Sequence, residues 1–130
     1  MIVLDASAAV DWLLQTPAGL RIEERIYARQ ETLHSVHLLD VEFAQVLRRM
    51  AGDGTLTPRR AEEAIEDMAA LRITRYAPAL LLPRIWRLRQ NSSAYDAAYV
   101  ALAEELHAPP ITRDRRIAAA PGHVASIEVF

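Results

Sequence analysis

The sequence predicts one α/β domain, with a central parallel sheet of about four to five strands flanked by helices. Three observations predict it. Short apolar runs alternate with helix-period segments along the whole chain. No linker-like Gly/Ser/Pro stretch, repeat or low-complexity block divides the chain, so residues 1–130 read as a single unit. A chain of 130 residues, 52% apolar and 25% charged, has the size and balance of one globular domain with its own core.

The elements follow in order. Ile2-Val3-Leu4 is an apolar run fit for a buried strand, and Asp5 ends it. Ala6 to Leu14 is helical, Pro17 and Gly19 are expected to close that helix, and Leu20 to Gln30 reads as a second one. Leu33 to Val36 is a second strand. Leu38 to Met50 is a clear helix, with Leu39, Phe43, Val46, Leu47 and Met50 on one face, and Gly52-Asp53-Gly54 stops it. Thr57 is a good N-cap ahead of Pro58 at the first helical position, for a helix to about Leu71. Ile73 to Tyr76 is a third strand, and Leu80 to Arg89 a short helix whose first turn tolerates Pro83. Ala94 to His107 is a helix ended by Ala108-Pro109-Pro110. Ile111-Thr112 is a short strand, Asp114 caps a helical turn, and Ile127 to Val129 forms an edge strand.

Composition narrows the function. Cysteine is absent, which excludes disulfides and thiolate metal sites. All 15 basic residues are arginine, so no mechanism can use a lysine, and a GC-rich genome is the ordinary explanation. Net charge is −2, which is not that of a strongly basic nucleic-acid module. No apolar run approaches the roughly 20 residues of a membrane span, and no basic segment precedes the first apolar run. The absence of cysteine permits a cytosolic protein.

Most carboxylates read as solvated helix surface, among them Glu23, Glu24, Glu31, Glu62, Glu63, Glu66, Glu104 and Glu105. Four acids differ. Asp5 stands at the carboxyl end of the first strand, where it either caps the next helix or faces a site. Glu42 borders the apolar stripe of its helix, where an unpaired charge is costly. Asp96 opens the Ala94–His107 helix, with Tyr99 beside it at helical spacing, and is either a first-turn acid or a ligand. Asp114 follows another strand and is also a possible cap. In a parallel sheet such positions converge beyond the carboxyl ends of the strands. Carboxylates gathered there need a shared proton or a cation, and oxygen ligands without His or Cys select hard ions, Mg²⁺ or Mn²⁺.

Four segments carry a resemblance: Ile2-Val3-Leu4-Asp5-Ala6-Ser7, Leu39-Asp40-Val41-Glu42 leading to Val46-Leu47-Arg48-Arg49, Tyr95-Asp96-Ala97-Ala98-Tyr99-Val100-Ala101-Leu102-Ala103, and Ile111-Thr112-Arg113-Asp114-Arg115-Arg116-Ile117. In this order they resemble the PIN domain, and more narrowly the VapC toxins of type II toxin–antitoxin pairs. The chain departs from that pattern at Val36-His37-Leu38, where a proline is common, and at Gln45, where an Asn is frequent. The resemblance implies a Mg²⁺- or Mn²⁺-dependent endoribonuclease that hydrolyses RNA through metal-activated water. It places Asp5, Glu42, Asp96 and Asp114 in the catalytic, metal-binding centre, with Asp5 and Asp96 as direct ligands and the other two direct or through water. Ser7 and Thr112 match its supporting hydroxyls. It also implies a homodimer and a cognate VapB-type antitoxin, whose C-terminal segment lies in an apolar groove.

Arg113, Arg115 and Arg116 adjoin Asp114 and are candidate RNA contacts, with Arg84, Arg87 and Arg89 as a second patch or plain surface. Tyr95 reads as core, or as a base-stacking residue. Trp12, Leu13 and Leu14 are core or groove wall, and Trp86 is core or dimer interface. Receiver domains and dehalogenase-type phosphatases need a lysine that is missing, and Ala6-Ser7-Ala8-Ala9 is no dinucleotide turn. The alternative kept is a catalytically silent PIN-like domain that only binds antitoxin or RNA.

Overall fold

The computed structural model describes residues 1–130. Five parallel strands form one sheet in the order β3-β2-β1-β4-β5: β1 Ile2–Leu4, β2 Leu33–Val36, β3 Ile73–Tyr76, β4 Pro110–Thr112 and β5 Glu128–Val129. The register sets Ile2 opposite Leu33 and Leu4 opposite Ile111. Every residue of β1, β2 and β4 is buried, so both faces of the central strands are covered. That explains why these strands read as short continuous apolar runs rather than as alternation.

Seven helices surround the sheet: α1 Ala6–Leu13, α2 Pro17–Ala28, α3 Leu38–Gly52, α4 Pro58–Ala70, α5 Leu82–Arg87, α6 Ala94–Leu106 and α7 Arg115–Ala119. α6 packs on β1, β2 and β4, while α1 packs on α2, α3, α4 and β4. The apolar stripe of α3 buries Leu39, Phe43 and Leu47, leaving Val46 and Met50 partly covered. Thr57 caps α4 through Arg60 N, with Pro58 in the first turn as the sequence implies. α6 is buried along most of its length and is closed by His107 in a left-handed conformation at φ 51°.

Two segments differ from expectation. Pro17 and Gly19 do not end α1; they begin α2. Thr16 Oγ1 accepts from Gly19 N at 3.0 Å, and Pro17 occupies the first turn, where its missing N–H costs nothing. Gly19 also permits a close approach, because a Cβ there would lie 1.9 Å from the Asp11 carbonyl oxygen. The stretch read as one helix from Leu80 to Arg89 is a 3₁₀ turn, Pro78–Leu81, followed by α5, with Pro83 in the first turn of α5.

Two expected surface acids are tied into the fold. Glu31 receives Arg25 at 2.7 Å and the terminal ammonium, and Arg25 also grips Glu128 of β5 with two bonds of 2.9 Å. Glu104 accepts two bonds from Arg84, at 2.7 and 3.0 Å, and one from Val124 N at 2.9 Å. Apart from Arg25, six residues before Glu31, these partners lie 20 or more residues away, where helical spacing carries no signal.

Candidate active site

β1 delivers Asp5 to the carboxyl edge between its neighbours β2 and β4. Asp5 has extended backbone and caps α1, accepting from Ala8 N at 2.9 Å, so the capping role is real. The residue is 4% exposed. Ser7 Oγ donates to the same carboxylate oxygen at 2.8 Å. Both bonds end on Oδ1, and Oδ2 carries neither. Ser7 is a hub: it also accepts from Arg113 N at 2.9 Å and lies 3.3 Å from Thr112 Oγ1. Thr112 Oγ1 in turn accepts from Asp114 N at 3.0 Å. The turn after β1 is thus joined to the turn after β4, which sets Asp5 and Asp114 on one edge.

α6 and α3 supply the other acids. Ser93 caps α6 and binds Asp96 N at 3.1 Å, holding Asp96 in the first turn. Tyr99 follows one turn later, 3% exposed, and its hydroxyl donates to Glu42 Oε2 of α3 at 3.2 Å. Tyr99 was not singled out for the site from the sequence. Its position three residues after Asp96 on one helix face was the available signal.

The electrostatics separate three acids from the fourth. Burial pushes the Asp5 carboxyl up; bonds from Thr112, Ala8 and Ser7 pull it back, and the charge of Asp96 raises it further. Burial also raises Glu42, opposed by the Tyr99 hydroxyl and reinforced by Asp96 and Asp5. Burial and the surrounding acids Glu42, Asp5 and Asp96 drive the Tyr99 phenol upward as well, so it stays protonated and donates. Asp114 runs the other way. Arg116 holds it below the usual range through bonds of 2.7 and 3.0 Å and a backbone N–H at 2.9 Å.

Asp5, Glu42 and Asp96 therefore share one field, while Asp114 is neutralised locally. No three acids are yet arranged around a common cation position. Glu42 is held by the Tyr99 hydroxyl and Asp114 by Arg116. The donor set fits a hard divalent ion: oxygen only, partly buried, and crowded with like charge that a cation relieves.

The arginines divide. Arg113 is engaged internally, with Asp11 at 2.6 Å and the Phe130 carbonyl, and Arg116 with Asp114. Arg115 is exposed and makes no ion pair. Arg84 is spent on Glu104 and the Gly122 carbonyl, and Arg89 lies 4.6 Å over the Trp86 ring. Tyr95, read as core, is instead 63% exposed beside Asp96, and Trp86 is 66% exposed. Trp12 and Leu13 are buried in the core, with Leu14 partly covered.

The PIN domain family model matches residues 2–122. Ribonuclease VapC9 of Mycobacterium tuberculosis is 43% identical over 117 residues, 90% of this chain and 88% of the relative. The chain belongs to the VapC ribonucleases of the PIN-domain family. Solved VapC structures have the same fold. VapC20 of Mycobacterium tuberculosis, described as a sarcin-ricin loop cleaving toxin, has a TM-score of 0.69 at 17% identity, covering 95% of this chain and 97% of that one. VapBC2 of Rickettsia felis, bound to a DNA fragment from its promoter, has a TM-score of 0.67 at 13% identity, covering 98% of each chain.

Proposed function

We propose that residues 1–130 form one PIN domain that hydrolyses RNA at the Asp5–Glu42–Asp96–Asp114 centre. It acts as the toxin of a pair with a VapB-type antitoxin. The observation that carries this reading is the shared field of Asp5, Glu42 and Asp96, which come from three separate elements. A fold has no structural reason to set two half-buried acids against a buried one, and the cost is characteristic of a functional site.

Asp5 and Asp96 would hold Mg²⁺ or Mn²⁺ directly, with Glu42 and Asp114 direct or through water. When bound, the ion supplies Lewis acidity for water and for the scissile phosphate. Ser7 and Thr112 orient the Asp5 carboxylate and the backbone before Asp114. On leaving Asp114, the Arg116 guanidinium becomes free to pair with a phosphate oxygen. Arg115, already exposed, contacts the RNA backbone, and Arg113 does so from its anchor on Asp11.

The antitoxin reading is supported by the Rickettsia felis neighbour, which is a VapBC complex. With Trp12 and Leu13 buried, the groove wall left for an antitoxin is Leu14 and the exposed Val41 of α3. For a homodimer, the exposed Leu80, Leu82 and Trp86 on the 3₁₀ turn and α5 are the apolar residues on offer. No helix is long and apolar enough to cross a membrane, and a cytoplasmic setting suits an RNA substrate.

Product ends test the chemistry. Attack by water yields 5′-phosphate and 3′-hydroxyl termini, and cleavage should weaken as salt rises, because a chain of net charge −2 attracts RNA only locally. A 2′,3′-cyclic phosphate would mean that the ribose hydroxyl is the nucleophile and would overturn this mechanism.

A further inference from the structure

Glu42 is the acid with the longest reach to the centre. It projects from α3, its neighbours Leu39 and Phe43 are fully buried, and it is repelled by Asp5 and Asp96. Left alone, such a side chain would rotate toward solvent. The structure holds it with one donor, the Tyr99 hydroxyl, at 3.2 Å. Tyr99 is 3% exposed, and phenylalanine would fill the same volume without placing a hydroxyl among carboxylates. Because Tyr99 and Asp96 lie one turn apart on α6, the helix that places one acid also fixes the donor for another.

We propose that Tyr99 is a positioning residue. Its hydroxyl pins the Glu42 carboxylate against the Asp5–Asp96 pair and thereby raises the centre's affinity for a divalent ion. The inference rests on the metal-centre reading above and extends it to a residue that contacts neither ion nor RNA. Partners of this kind typically change metal affinity 10–100-fold when removed.

The test is Mn²⁺ binding by the full chain, followed by electron paramagnetic resonance without RNA. The proteins are wild type, Tyr99→Phe, Glu42→Asp, the Tyr99→Phe/Glu42→Asp double variant and Asp5→Asn, each checked for folding by circular dichroism. Tyr99→Phe is expected to weaken binding about 10-fold. Glu42→Asp keeps the charge but falls a methylene short of the hydroxyl, and should weaken binding similarly. The double variant should be no weaker than Glu42→Asp alone, since Tyr99 acts through Glu42. Wild-type affinity in Tyr99→Phe, with binding lost in Asp5→Asn, would overturn the inference and leave the metal centre standing. Losses that multiply in the double variant would also overturn it. Should Tyr99→Phe not fold, wild-type affinity in Glu42→Asp overturns it from the other side of the bond. Absence of Mn²⁺ binding by wild type, or binding unchanged in Asp5→Asn, would overturn the metal centre and this inference together.

Discussion

The Asp5 carboxylate caps α1, yet it is buried beside the charge of Asp96. These roles oppose each other energetically. Its native pKa is raised, so the folded chain binds that proton more tightly than the unfolded chain. The resulting penalty is absent below the ordinary carboxylate range. It grows as pH rises toward the native value, and is complete above it. Asp5→Asn keeps an oxygen for Ala8 N and Ser7 Oγ but removes the charge. The variant is expected to melt higher than wild type at pH 7 without divalent ions, and the difference should shrink in acid. Activity should fall roughly 100-fold or more, as when a group that stabilises transition-state charge is lost. Calorimetry at two pH values, beside a cleavage assay, checks both. A variant less stable than wild type at pH 7 would show that the capping role outweighs the charge.

At the scale of elements, the α1–α2 corner is the tightest approach. A Cβ on Gly19 would meet the backbone of Asp11 and Trp12, which cannot move without separating the helices. Gly19→Ala should cost about 2–3 kcal/mol. It would be read as a lower urea midpoint at unchanged slope. The α5–α6 contact depends on Arg84 and Glu104. Arg84 lowers the Glu104 carboxyl by hydrogen bonding, against the effect of burial. That stabilisation is present at neutral pH and is lost as pH falls through the lowered native value. Glu104→Gln should therefore cost about 1–2 kcal/mol at pH 7 and almost nothing in strong acid, measured by denaturant titration at each pH.

These elements also show what a sequence can and cannot say. Strands β1 to β4, helices α3, α4 and α6 and the places of Asp5 and Asp114 just beyond strands were legible, because periodicity, caps and position after a strand are local signals. The α1–α2 corner was misread because Pro17 and Gly19 stop one helix or start another depending on whether Thr16 caps the second. Glu31 and Glu104 were misplaced because partners outside helical spacing engage them, the terminal ammonium and Arg25 at Glu31 and Arg84 at Glu104. Arg84 is 20 residues from Glu104, and Arg25 is 103 from Glu128. The engagement of Glu42 by Tyr99 spans 57 residues and has no trace in local pattern.

At the scale of the molecule, the strand order explains the site. β1 lies between β2 and β4, so the turn after β1, the helix after β2 and the turn after β4 meet at one open edge. The central strands and α6 are buried in the apolar core, while the charged edge is held by capping, by hydroxyls and by Arg116. The measurement that tests this most directly is cleavage of total cellular RNA at low salt by the purified, antitoxin-free chain, in Mg²⁺, Mn²⁺ or EDTA, with Asp5→Ala and Asp96→Ala alongside. Discrete cuts that require the ion and vanish in both variants are the expected result. A folded, antitoxin-free wild type that cuts nothing in any RNA pool would contradict it, leaving a domain that only binds.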